Sequence, residues 1–347
     1  MTRPDITIRG AGIFGLSCAY EMARRGAKVT VVDPNGIGAG ASGGLVGALA
    51  PHAPEGWTPI KAFQLESLLA SPGFWGEVQA RSGRDPGYGQ LGRVQPIADA
   101  AALARAYERQ QGAQELWQGA ALWEVLPATG ASWEPPSPSG YLIRDSLSAR
   151  IHPRLALAAL AEALRSLGGM ITPEAEDQGL VLDASGAAGL EALSRDFGKM
   201  LGRGQKGQAA LLAYDAGAAP QLYVDSLHIV PHIDGTVAVG SVDDREAQDL
   251  STDARLEALI AEVRRVIPAL AEAPVLERWA GYRPRARSRR AVLGAHPLKP
   301  GRFVANGGFK IGFGIAPGVA RVMADLMLDG IDQVPDGCRV EDLLAAK

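Results

Sequence analysis

The apolar positions at the start of the chain change period twice before residue 34. Ile6 to Arg9 is a short β-branched run, Leu16 to Arg25 spaces its apolar residues for one buried helix face, and Lys28 to Val32 is strand-like again. Gly26 ends the helix, and Asp33-Pro34-Asn35-Gly36 turns the chain. Strand, helix, strand in this order predicts one unit of a parallel α/β layer.

The same reading places a helix over Pro59 to Ala70, a strand over Gly92 to Ile97 and a helix over Ala100 to Gln111. Residues 127–140 break the pattern, with Pro135-Pro136-Ser137-Pro138-Ser139-Gly140 as a loop. Pro153 to Leu167 resumes as an amphipathic helix opened by its proline. Leu180 to Leu182 is a strand running into the small-residue turn Asp183-Ala184-Ser185-Gly186. Strands over Leu227 to Val230 and Thr236 to Val239 flank the hairpin signal Asp234-Gly235. A helix over Leu256 to Val266, a strand over Arg302 to Ala305 and a closing helix over Pro317 to Leu328 complete the chain.

Composition excludes more than it assigns. Hydrophobic residues make up 47% of the 347 positions, enough for a sizeable core. A formal net charge of −3 removes a global electrostatic reason to bind nucleic acid or anionic membrane, so neither is expected as a partner. Cys18 and Cys338 stand far apart without a CxxC, and no histidines cluster along the sequence, so reduced thiols and no metal are expected. The glycine-rich stretch Gly36 to Pro51 is shorter than the roughly 20 residues of a membrane helix, which makes a cytoplasmic protein the expectation. Self-association is left open.

Gly10-Ala11-Gly12-Ile13-Phe14-Gly15 has the form GxGxxG, and Asp33 stands near the roughly 20-residue spacing at which an acid meets a ribose hydroxyl. The first glycine allows the tight turn, the second lets backbone amides reach a pyrophosphate, and the third lets helix and strand pack. The helix N-terminus offsets phosphate charge. This fingerprint implies a dinucleotide and does not separate NAD from FAD.

Segments beyond it narrow the choice. Gly38-Ala39-Gly40-Ala41-Ser42-Gly43-Gly44 leads into Leu49-Ala50-Pro51-His52, and Ile151-His152-Pro153-Arg154, Asp183-Ala184-Ser185-Gly186-Ala187 and Gly204-Gln205-Lys206-Gly207-Gln208 follow in order. After these come His228-Ile229-Val230-Pro231, Gly281-Tyr282-Arg283-Pro284 and Gly307 to Pro317. Together they resemble the D-amino acid oxidase superfamily, in particular its glycine oxidase and sarcosine oxidase branch. The resemblance implies an α/β fold, α+β in its substrate lobe, in which a Rossmann-like FAD lobe (residues 1–75, 141–203 and 284–347) interleaves with a sheet-based substrate lobe (76–140 and 204–283). It also implies oxidation of a small amino acid or amine to the imine by hydride transfer to flavin N5, with oxygen or another acceptor.

For the cofactor the resemblance implies contacts from Gly10, Gly12, Ile13, Phe14 and Gly15, and from Asp33 and Pro34. Ala41, Ser42, Gly43 and Gly44 belong to the second loop, Leu49 and Ala50 to the turn under the isoalloxazine, and Ser185 and Gly186 to the small-residue turn. Gly308, Phe309, Lys310, Ile311 and Gly312 precede the last helix. With neither cysteine near that turn, the FAD is expected to be non-covalent.

Four residues are candidates for the chemistry. Arg283 is implied as the clamp on a substrate carboxylate, the alternative being a surface ion pair. Lys310 is implied near the reduced flavin or a second substrate oxygen, or else it is an exposed loop lysine. His228 stands where the branch has a substrate-side tyrosine, with a satisfied sheet histidine as the rival. His52 follows the turn under the flavin and is otherwise an exposed turn residue. The chain departs from the family in the short stretch 169–183, in Arg285-Ala286-Arg287-Ser288-Arg289-Arg290, and in having His228 and His232 where a tyrosine and an arginine are usual. Two other readings are a tRNA-modifying oxidase, suggested by the basic run Arg278 to Arg290, and an electron-relay subunit of a hetero-oligomeric amine dehydrogenase.

Overall fold

The computed structural model describes residues 5–244 and 249–345. In chain order they form β1 (Asp5–Arg9), α1 (Ile13–Arg24), β2 (Lys28–Val32), β3 (Ala48–Leu49), α2 (Pro59–Ser82), β4 (Arg93–Pro96) and α3 (Ala100–Trp117). Next come β5 (Trp123–Pro127), β6 (Tyr141–Asp145), β7 (Ala149–Arg150), α4 (Pro153–Ser166), β8 (Met170–Thr172), β9 (Leu180–Asp183) and α5 (Gly186–Asp196). The rest are β10 (Gly202–Ala213), β11 (Gln221–Val224), β12 (Leu227–Pro231), β13 (Thr236–Asp244), α6 (Ala254–Val266), β14 (Val275–Ala286), β15 (Val292–Ala295), β16 (Arg302–Asn306), α7 (Gly312–Ala324) and α8 (Val340–Ala345).

Two sheets organise them. The first runs β15-β16-β9-β1-β2-β8, with β1 parallel to both β2 and β9 and β15 alone antiparallel. The second runs β14-β10-β13-β12-β11-β4-β6-β5 and is antiparallel except where β11 meets β4. This is the mixed α/β architecture expected from sequence. The expected lobe boundaries at 140/141 and 283/284, however, fall at strands of the second sheet: β6 belongs to it, and β14 runs on to Ala286.

Tertiary packing accounts for the local differences. α1 is buried at every residue from Ile13 to Ala23, not along one face. Its single acid, Glu21, is held by Arg24 and Arg25, and Arg25 also bonds Asp325 beyond α7. α2 continues through Pro72, where a helix was expected to stop, because Trp75 and Val78 are fully buried further along it. α3 likewise outruns its expected end at Gln111, anchored by buried Ala113 and Trp117. α7 begins at Gly312, not at Pro317, and packs closely on α2, where Gly318 N donates to Ser67 Oγ. Burial of a large side chain is worth about 1.5–3 kcal/mol, comparable with the cost of a proline inside a helix.

Candidate active site

The cofactor end starts where β1 stops. Gly10 has φ +112°, and a Cβ there would lie 2.5 Å from the Ala184 carbonyl oxygen, so the turn from β1 to α1 admits only glycine. A Cβ on Gly15 would lie 1.9 Å from the Gly10 carbonyl oxygen, which fixes how closely α1 leaves the sheet. Gly12 caps α1 and brings no side chain of its own. Ile13 N donates to Ser42 Oγ at 3.0 Å, tying the fingerprint to the second glycine-rich loop. Asp33 accepts from Ala11 N at 2.8 Å and from Asn35 N at 3.0 Å, so it braces the same turn. Asp183 Oδ1 accepts from the Ser185 hydroxyl and amide and sets the neighbouring turn.

These turns border a cavity of about 1120 Å3 that reaches across to the second sheet. Of the expected cofactor residues, Gly10, Gly12, Ile13, Phe14, Asp33, Pro34, Ala41, Ser42, Gly44, Ser185, Gly186, Gly308, Phe309, Lys310 and Gly312 line it, as do Arg283 and His228. Gly15, Gly43, Leu49, Ala50, Ile311 and His52 do not. Gly15 and Gly43 press on the backbone of Gly10 and Gly38 instead. Gln64 of α2 accepts from His52 N and donates to the Ala50 carbonyl, drawing that turn onto α2, and Ala48 reaches the cavity in its place. The His52 ring is half-buried, and burial lowers its pKa.

At the far end Arg283 of β14 is mostly buried, its side chain 12% exposed. Its guanidinium donates to Ser241 Oγ at 2.8 Å and to Asp243, and stacks 5.6 Å from the Phe309 ring centroid. Burial lowers its pKa, against the pull of Asp243. Its Nε–H is buried with no partner among the described residues. Lys310 Nζ lies 2.6 Å from the other oxygen of Asp243. Burial, and the charges of Arg93, Lys310 and Arg283, push the His228 pKa down to about 3, so the ring is neutral. His228 Nδ1 also lacks a partner among the described residues, and the ring leans on Tyr223. Arg93, stacked over Tyr223, pairs at 3.0 Å with the fully buried Asp145 and steadies this wall.

Tyr223, Ser241, Trp279 and Asp243 carry no site signal in the sequence and come here only through strand register. The sequence also shows no histidine cluster, yet the fold gathers His152, His232 and Asp234 at the opposite end of the β12–β13 hairpin. His152 Nδ1 accepts from Leu155 N at the start of α4, which leaves its Nε2 proton facing Asp234 at 3.4 Å. That hydrogen-bonding pattern caps a helix and does not offer a free ligand nitrogen at His152.

A glycine cradle at a helix N-terminus, on a cavity that also holds a buried arginine and a neutral histidine, has the form of a dinucleotide-binding site. The chain belongs to the FAD dependent oxidoreductase family, whose model matches residues 5–326. It is 28% identical to a glycine oxidase of Bacillus licheniformis over 357 residues, 94% of this chain and 93% of that one. With a glycine oxidase of Geobacillus kaustophilus it shares 26% over 356 residues, again 94% and 93%. The crystal structure of glycine oxidase from Geobacillus kaustophilus superposes with a TM-score of 0.81 over 97% of both chains, at 21% identity. This protein is therefore an FAD-dependent oxidoreductase of that family. The cavity fits FAD on its own evidence: Gly12 at the N-terminus of α1, Asp33, Ser42 and the Ser185–Gly186 turn all line the same space of about 1120 Å3. Among the described residues no helix is long and apolar enough to cross a membrane.

Proposed function

We propose that this enzyme oxidises a small amino acid or secondary amine of the glycine, sarcosine or D-amino acid type to its imine, with oxygen as acceptor and hydrogen peroxide as the second product. The observation that carries the reading is Arg283, a buried guanidinium at the cavity wall whose Nε–H has no partner among the described residues. A planar cation so placed matches the two oxygens of a carboxylate. FAD, when bound, supplies the two-electron acceptor.

The protein's own part is to bind and orient. Arg283 takes the substrate carboxylate, which turns the α-carbon towards the cavity between the two sheets. His228, neutral at any physiological pH, offers Nδ1 to the amine or to a carboxylate oxygen without adding charge. Phe309 covers the guanidinium face and keeps water from it. Asp33 keeps acceptor capacity for a ribose hydroxyl beyond its two backbone partners. The FAD is held without a covalent bond: Cys18 and Cys338 are buried away from the cavity, and burial pushes both thiol pKa values up, that of Cys338 to about 11.

Oxygen uptake and peroxide formation with glycine, sarcosine, D-alanine and D-proline test the reading. At least one of the four is expected to give both. Uptake with none of them, by protein carrying its full FAD, overturns the proposed substrate class.

A further inference from the structure

Asp243 joins the two cations at the His228 end. Its Oδ2 lies 2.6 Å from Lys310 Nζ, and its Oδ1 accepts from the Arg283 guanidinium. Gly207 makes this reach feasible. In β10 it stands opposite Asp243 of β13 on one side and Gly281 of β14 on the other, and Arg283 crosses it diagonally. A Cβ on Gly207 would lie 2.3 Å from Arg283 Nη2, so a larger residue would lift the guanidinium off the strand. The other cavity-lining side chains beside the pair, Ser241, Tyr223, Phe309 and the neutral His228, add no charge. Among the described residues that line the cavity here, Arg283 and Lys310 share the one acid Asp243, which leaves room for one further negative charge; Arg285, 5.8 Å from the Phe309 ring centroid, lies outside that lining.

Resting on the reading of Arg283 as the carboxylate clamp, we propose that Asp243 is the specificity-determining residue of this cavity. By holding Lys310 and part of Arg283, it admits amino acids with one carboxylate and turns away those with two. A single substrate carboxylate completes the charge balance on the free edge of Arg283. A second carboxylate would need Lys310, which Asp243 already holds, and would stand beside a like charge; with the Asp243 side chain 31% exposed and that of Lys310 43% exposed, solvent screens part of that repulsion.

Calorimetric titration of the FAD-loaded protein with acetate and with malonate measures this without turnover. Wild type is expected to bind acetate more tightly than malonate. In Asp243→Asn the order reverses, with malonate gaining about a hundredfold and acetate about tenfold or less. Asp243→Glu keeps the charge and the wild-type order, and Asp243→Ser behaves as Asp243→Asn should the latter fail to accumulate. An unchanged acetate-to-malonate ratio in both neutral variants overturns the role of Asp243 while leaving the clamp intact, provided Arg283→Ala loses acetate. Acetate binding equally to wild type and Arg283→Ala removes the clamp and this proposal with it. Loss of acetate in Asp243→Asn with normal FAD content and circular dichroism makes Asp243 a prop for Arg283, which also overturns it.

Discussion

Gly10, Gly12 and Gly15 shape one end of the cavity by the side chains they lack, whereas Arg283, Lys310 and Asp243 shape the other by charges gathered from β13, β14 and the turn before α7. At the cofactor end the contacts are between backbone atoms, and the tolerance is steric. At the substrate end they are between ionised side chains, and the tolerance is electrostatic. The two ends should therefore fail differently. Added volume damages the first whatever the salt concentration, and altered charge damages the second.

The largest effect belongs to the substrate end. Arg283→Ala is expected to lose a hundredfold to several thousandfold in kcat/KM while keeping its FAD, because an unpaired buried charge partner typically costs about 3–5 kcal/mol. Arg283→Lys recovers only part of this, since a point charge lacks the fork. Arg287→Ala is the neighbour control: Arg287 donates to the Leu343 carbonyl, away from the cavity, and turnover should stay near wild type. Steady-state kinetics with FAD content for each variant decides between them.

At the cofactor end, Gly10→Ala forces a side chain against the Ala184 carbonyl at a φ of +112°, and overpacking of this kind costs up to about 3 kcal/mol. The variant should emerge with little FAD and a lower Tm, and added salt should not rescue it. A variant of normal FAD content would show that the cradle is looser than the glycines imply.

His232 belongs to neither end, and its effect should appear in stability and not in FAD content or turnover. Burial pushes its pKa from 6.5 down to about 3, so the unfolded chain takes up the proton first as pH falls. Stability from this group is fully present above pH 6.5 and is lost as pH falls towards 3, amounting to about 2 kcal/mol by pH 5. His232→Gln should flatten the fall of Tm between pH 7 and pH 5, and an unaltered slope would show that other groups control it. Asp33→Ala removes the acceptor of the Ala11 and Asn35 N–H groups and should release FAD faster in dialysis, without the loss of turnover expected of the Arg283 variants. Full retention would remove Asp33 from cofactor binding.

The contrast between the ends also explains what could be read from the chain. The cradle is local: three glycines, the helix they open and Asp33 lie within one βαβ unit, so spacing alone identified them, and all but Gly15 line the cavity. Asp243 and Ser241 gave no such signal, because they meet Arg283 only through the pairing of β13 with β10 and of β10 with β14. Tyr223 arrives through its register with His228. α5 and α8 were not foreseen, and α2 and α7 were found without their ends, since Pro72 and Pro317 are carried inside them by burial that no local rule registers. His52 failed to reach the cavity for a similar reason: the Gln64 amide that holds its turn lies on a helix packed from elsewhere.

The central claim is that the clamp at one end delivers an amine to the FAD at the other. Anaerobic titration of the purified yellow protein with glycine, sarcosine, D-alanine and D-proline, beside Arg283→Ala, tests it in one experiment. At least one of these is expected to bleach the flavin absorbance of wild type, Arg283→Ala with equal FAD should need a far higher concentration, and trichloroacetic acid should then leave the FAD in the supernatant. Flavin bleached equally well in Arg283→Ala, or by none of the four in wild type, would contradict it.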